Sequence, residues 1–345
     1  MTADKIIEAV RAHVRGEEAQ KNDILDILRA HRCYPLIKQG NTAQEMMERV
    51  VNLAAVKERY RVCEPFFKNA SFTYAVIKGA VLSSAVCGDP YRRVSGDIDI
   101  LINRRDADKA KTVLKSCGFV QGRVTENGIV PFSRKEILYQ TSTSHQTAPY
   151  VKETANRLCP YVNVDINMDI LWGECEHRSN MDEVLCHREK HSLFDINFYK
   201  LTPEMEFVAL CLHHYKDMNS IYLLSQRGLS LGLLCDIYFY LKNARPIANK
   251  IGEISRQFDV GKYVYVCLSH TMEIFEDTLL IPYMENLKND CDERLLHSFG
   301  LNDIERKYWD IPLKERLFHP ALPQYMKKFL TDADVEKINV NLENM

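Results

Sequence analysis

No long stretch of this 345-residue sequence stays apolar for the length of a membrane span; Lys, Ser or Gly breaks the longest hydrophobic runs well short of it. Charge of one sign is missing too. There are 45 Lys and Arg against 47 Asp and Glu, a net charge of −2. That balance leaves no electrostatic footprint for a nucleic acid duplex, although a small local basic patch is compatible with it. The start, Met1-Thr2-Ala3-Asp4-Lys5, lacks the basic and apolar regions of a signal peptide. No Cys-x-x-Cys occurs among the 11 cysteines, and their spacing never repeats. Cys87, Cys211, Cys235 and Cys267 lie in apolar or helical stretches, which suits buried thiols in a reducing compartment. A cytoplasmic protein without membrane partners is therefore expected. Internal repeats and low-complexity tracts are absent.

What is present suits a globular chain. Apolar residues at 46% can fill a sizeable core, and 27% charged residues are ordinary. The length suggests two or three units. Residues 1–70 read as helical. Ile6, Ile7, Val10 and Val14 form one apolar stripe, and Ile24, Leu25, Ile27 and Leu28 another. Thr42-Ala43-Gln44-Glu45 is a capping box opening a helix through about Arg61, and Pro65 should end or kink any helix that reaches it. Strands are expected at 72–77, 97–102, 119–124, 136–141 and 161–170. Short helices are expected at 80–86 and 106–116, and a polar loop at 141–150. From Thr202 onward the pattern is helical, with helices at about 229–241 and 264–275 and a short polar helix after Pro312, Pro320 and Pro323. The expected fold class is α+β: a small mixed β-sheet core (71–200), preceded by a helical region (1–70) and followed by a helical domain (201–345).

The chemistry concentrates in residues 74–103. Residues two apart on a strand share a face, so Asp97 and Asp99 in Gly96-Asp97-Ile98-Asp99-Ile100-Leu101-Ile102 project together. Like charges held side by side repel unless a cation lies between them, and Mg²⁺ prefers shared carboxylate oxygens. Just upstream, Val76-Ile77-Lys78-Gly79 reads as a strand running into a helix. Such a junction offers backbone N–H groups and a positive helix end to a phosphate, with Lys78 as an added cation. Arg92 and Arg93 come shortly after Pro90, and a guanidinium can clamp phosphates.

Two-metal phosphoryl transfer needs a further acid. Tyr161–Ile170 alternates with period two and puts Asp165, Asn167 and Asp169 on one face. Two strand residues separate carboxylates by about 6–7 Å, whereas paired catalytic ions lie about 3.5–4 Å apart. Only one of Asp165 and Asp169 can therefore join the pair. Cys175, His177, Cys186, His187 and His191 invite a zinc reading, but their irregular spacing speaks against it.

Lys78-Gly79, Arg93 and Gly96-Asp97-Ile98-Asp99 together resemble the nucleotidyltransferase superfamily that includes DNA polymerase β, and within it the uncharacterised nucleotidyltransferase branch. The likeness extends over roughly residues 25–245. It departs in the loop, Gly79-Ala80 where the superfamily has Gly-Ser or Gly-Gly, and in a longer gap from Gly79 to Asp97. The resemblance implies transfer of a nucleoside monophosphate from a nucleoside triphosphate, ATP among them, to an acceptor hydroxyl with release of pyrophosphate. It implies two Mg²⁺ ions held by Asp97, Asp99 and Asp165. It places Asp165 in the third-acid position, and Lys78, Gly79 and Arg93 at the phosphates. A His-x-x-Lys-like stretch, here His213 to Lys216, precedes a helix with an Asp-Ile pair, here Asp236-Ile237. His214 and Lys216 become nucleotide contacts or, equally, part of a buried ion pair with Asp236. A small molecule, a peptide or an RNA end would all suit the core as acceptor. The missing loop hydroxyl supports a second class, a catalytically degenerate protein that binds a nucleotide or a partner.

Overall fold

The computed structural model describes residues 3–15, 17, 25–33, 43–93, 95–173, 175 and 177–343; Thr42 of the expected capping box lies outside them. The chain divides into two units that do not match the expected boundaries. One takes residues 40–206, and the other takes residues 1–39 with 207–345. The 1–70 region is thus split. Helices α1 (Ala3–Val14) and α2 (Leu25–Ala30) belong with the C-terminal helices, whereas α3 (Ala43–Asn69) belongs with the sheet.

The cause is where each helix buries its apolar stripe. Ile6, Ile7 and Val10 of α1 are buried, and Arg11 Nε of the same helix donates to the Ile274 carbonyl (2.6 Å). Ser230 Oγ and the Gly232 N–H both donate to His31 O, at 2.6 and 2.9 Å. A Cβ at Gly232 would stand 2.7 Å from that oxygen, so only glycine admits this approach. In α3, Val56, Tyr60, Cys63 and Phe67 recur at helical spacing and enter the core of the sheet unit. This packing carries the helix on past Pro65 to Asn69, so the proline does not end it.

The sheet unit is built on β1 (Tyr74–Ile77), β2 (Asp97–Ile102), β3 (Val120–Thr125), β4 (Gly128–Pro131), β5 (Tyr150–Glu153), β6 (Tyr161–Asn167), β7 (Arg188–Leu193) and β8 (Ile196–Leu201). They form one mixed sheet in the order β4-β3-β5-β6-β2-β1-β8-β7. The fold is α+β as expected, with a larger sheet. β1 runs antiparallel to β2, and β2 runs parallel to β6. Ile98, Ile100 and Ile102 of β2, Val162, Val164 and Ile166 of β6, and Tyr74 and Val76 of β1 join the α3 side chains in a single core. The alternate residues Asp97, Asp99, Asp165 and Asn167 therefore lie on the other face.

Helices α4 (Gly79–Cys87), α5 (Ala107–Ser116), α6 (Arg134–Thr143) and α7 (Met181–Cys186) connect the strands. Helix α6 corrects the expected strand at 136–141. Ser133 caps it and Glu136 reaches back to the Ser133 N–H, a complete capping box. The β7–β8 hairpin turns through Phe194 and Asp195, both at positive φ (53° and 63°), without the glycine that usually marks such a turn.

The helical unit continues with α8 (Pro203–Asn219), α9 (Ile221–Arg227), α10 (Leu231–Ala244), α11 (Ala248–Gln257) and α12 (Gly261–Phe275); α10 packs on α12. The expected terminal polar helix is present at Asp332–Glu343. No helix among the described residues is long and apolar enough to cross a membrane, and no described cysteine is in a disulfide.

Candidate active site

Strand register brings the acids together. β2 and β6 pair with Asp97 opposite Asn163 and Asp99 opposite Asp165. Directly paired residues share a face, so Asp165 stands beside Asp99 with Asp97 two residues away on the same side. Asp169 does not join them, because β6 ends at Asn167. It is buried in the turn after the strand, where it accepts from the Leu171 N–H (3.0 Å) and the Ser179 N–H (3.3 Å). Its carboxylate is a staple for that turn.

Lys78 and Gly79 form the junction between β1 and α4. Both have positive φ, 56° and 48°. At Lys78, ψ is −148°, close to a region that only glycine enters freely, and no side chain caps the helix start. The strain costs on the order of 1–3 kcal/mol. It turns the chain into α4 directly opposite Asp99, which pairs with Ile77 across β1 and β2. Lys78 Nζ lies 3.3 Å from Asp99 Oδ1, and Asp99 is 5% exposed.

The other contacts were not signalled by any motif. Asn167 Nδ2 also donates to Asp99 Oδ1 (3.0 Å), and Gln146 Nε2 donates to Asn167 Oδ1 (2.8 Å). Ser95 Oγ donates to Asp97 Oδ1 (2.7 Å), while Arg59 Nη1 of α3 donates to the Ser95 carbonyl (2.6 Å). The loop bearing Arg92 and Arg93 is clipped to α4 by Ser83, which donates to Asp89 O (2.6 Å) and accepts from the Arg93 N–H (2.9 Å). That clip places Arg93 four residues before Asp97 on an anchored loop.

The electrostatics are dominated by three acids on one face. Burial first, then the charges of Asp99 and Asp97, raise the Asp165 carboxyl from its ordinary 3.8 to about 7, with Lys78 opposing. Between these two values the folded protein keeps a proton that the unfolded chain has released. Stability in the absence of metal should therefore fall as pH rises from about 3.8 to about 7, and level off above. Asp165→Asn should flatten that segment of the profile, which thermal unfolding across the range measures.

Hard oxygen donors suit a divalent cation such as Mg²⁺. Among the described residues no three His, Cys, Asp or Glu side chains gather into a ready cage. Asp99 instead faces Lys78 and Asn167, and Asp97 faces Ser95. The carboxylate donors are of the type that suits the ion, and an ammonium, that of Lys78, is in contact with Asp99. Among the described residues the Cys/His stretch shows no such cage; Cys175 Sγ and His177 Nδ1 are 3.9 Å apart.

His214 and Lys216 lie on α8 in the helical unit. His214 is fully buried, with Nε2 3.1 Å from Asp236 Oδ2 of α10, so it forms the buried pair joining two helices. Lys216 is half-buried, with Nζ 3.6 Å from Asp217 Oδ1.

A family model described as uncharacterised nucleotidyltransferase matches residues 17–276 of the chain. No curated protein and no solved structure matches it.

Proposed function

The chain belongs to the uncharacterised nucleotidyltransferase family, and on that premise we propose a Mg²⁺-dependent enzyme of the polymerase β-like superfamily. It moves a nucleoside monophosphate from a nucleoside triphosphate such as ATP to an acceptor hydroxyl in the cytoplasm. The observation that carries this reading is the register setting Asp99 against Asp165, with Asp97 on the same face and the Lys78-Gly79 junction opposite.

Asp97, Asp99 and Asp165 would hold the metal. When bound, Mg²⁺ supplies Lewis-acid stabilisation of charge on the phosphate oxygens and acidifies the acceptor hydroxyl. Asp165 takes the proton of that hydroxyl as its oxygen bonds to the α-phosphorus. The bond to the bridging oxygen breaks and pyrophosphate leaves. Lys78 exchanges Asp99 for the outer phosphates, Gly79 lets the first turn of α4 approach them, and Arg93 adds a second cation. His214 keeps its role as a buried strut to Asp236 and holds α8 in place.

Calorimetric titration of Lys78→Ala with nucleoside tri- and monophosphate tests the reading. Triphosphate binding should weaken about tenfold or more, and monophosphate binding far less. Equal losses would make Lys78 only the counter-ion of Asp99.

A further inference from the structure

Asn167 and Gln146 take no part in the chemistry above. We infer that they are positioning residues that fix how the Asp99 carboxylate meets a divalent cation. The inference rests on the metal-dependent reading of this same site.

An amide side chain can present oxygen or NH₂ in either of two flips, and only its partners decide which. The Asp99 carboxylate, which can only accept, draws the Asn167 NH₂ to Oδ1 (3.0 Å), with the Asp165 carbonyl at 3.4 Å, and Gln146 backs that flip by donating from Nε2 to Asn167 Oδ1 (2.8 Å). Gln146 is in turn held by the main chain. It bridges Asn167 in antiparallel fashion, flanked by Thr147 N to Ile166 O (3.0 Å) and Met168 N to His145 O (2.8 Å). Residues 144–147, within the expected polar loop, are thus zipped onto the end of β6 beside the acids. Asn167 is 1% exposed, so leaving its amide without partners would be costly.

Both donors to Asp99 use the same oxygen. Lys78 and Asn167 converge on Oδ1, and Oδ2 takes no hydrogen bond among the described residues. The two contacts are not equivalent. Lys78 sits on a long flexible stem and can leave for a phosphate. Asn167 is anchored by its strand and by Gln146, and stays. When Lys78 departs, Asn167 keeps Oδ1 pinned and so fixes the carboxylate plane, which saves the cation from ordering a freely rotating carboxylate. Partners of metal ligands that act in this way change metal affinity by about 10–100-fold when removed.

The test is Mn²⁺ binding, monitored by electron paramagnetic resonance, to the intact protein and to Asn167→Ala, Gln146→Ala and the double variant. Thermal unfolding checks that each is folded, and nucleotide binding without metal serves as a control. Asn167→Ala should bind Mn²⁺ about tenfold or more weakly with metal-free nucleotide binding unchanged. Gln146→Ala should lose less, and the double variant no more than Asn167→Ala, because Gln146 acts through Asn167. Unchanged Mn²⁺ affinity in folded Asn167→Ala overturns the inference, and additive losses overturn the relay. If Asn167→Ala does not fold, Gln146→Ala decides on the same readout. No Mn²⁺ binding by the unmodified protein would instead overturn the metal-dependent reading, and the inference with it.

Discussion

Asp99→Asn is expected to lower Mg²⁺-dependent nucleotide turnover by at least about 10³-fold, because several kcal/mol of transition-state stabilisation pass through the metal site. The fold should survive. Asparagine keeps an oxygen for the Asn167 amide, so the buried contact is conserved in shape while the charge is lost. Lys78 loses its charged partner, a cost limited by its side chain being 21% exposed. The substitution should also lower the Asp165 pKa, since Asp99 is its largest raising influence after burial. Pyrophosphate release measures the first effect, and carbon NMR of the Asp165 carboxyl the second. Retained turnover would take Asp99 out of the catalytic site; an unmoved Asp165 would contradict the electrostatic account.

The second large effect separates two acids that look equivalent on paper. Asp165→Ala is expected to eliminate transfer while leaving nucleotide binding nearly intact, and at neutral pH without metal it should raise thermal stability, because the cost of ionising that carboxyl is gone. Asp169→Ala is expected to do the reverse. Its two oxygens accept from Leu171 and Ser179 N–H groups, and removing them strands backbone donors at about 1–3 kcal/mol. Unfolding should therefore shift in Asp169→Ala, with turnover little changed where the protein is folded. Paired turnover and denaturation curves check both. Loss of transfer in Asp169→Ala alone would mean that the third acid comes from the turn and not from β6.

How far the sequence discloses this arrangement depends on how local each cause is. Asp97–Ile102 is legible from its isoleucines, and the observed strand has those ends. The β1-to-α4 junction is equally legible, because Lys78-Gly79 divides an apolar strand from a short apolar helix. Asp165 is legible as a strand acid. Its match with Asp99 is not, since pairing between distant strands is a property of the sheet. Residues 136–141 mislead because their apolar spacing is short and ambiguous, while the signal that decides is the Ser133–Glu136 capping box just before them. Pro65 does not end its helix, because Phe66 and Phe67 packed in the sheet unit outweigh its local effect. The contacts from Asn167, Gln146, Ser95 and Arg59 carry no motif at all. Each is an ordinary polar residue made specific by what the fold places beside it.

The central claim is that these acids and the Lys78 junction bind a nucleoside triphosphate with Mg²⁺ and cleave it. Incubating the protein with ATP and the other nucleoside triphosphates and Mg²⁺, and measuring nucleotide binding together with pyrophosphate release, tests it most directly. The account predicts Mg²⁺-tightened binding and pyrophosphate release that chelation of the metal abolishes. Binding without release on any acceptor tried would favour a degenerate nucleotide-binding protein, and no nucleotide binding with or without Mg²⁺ would contradict the account outright.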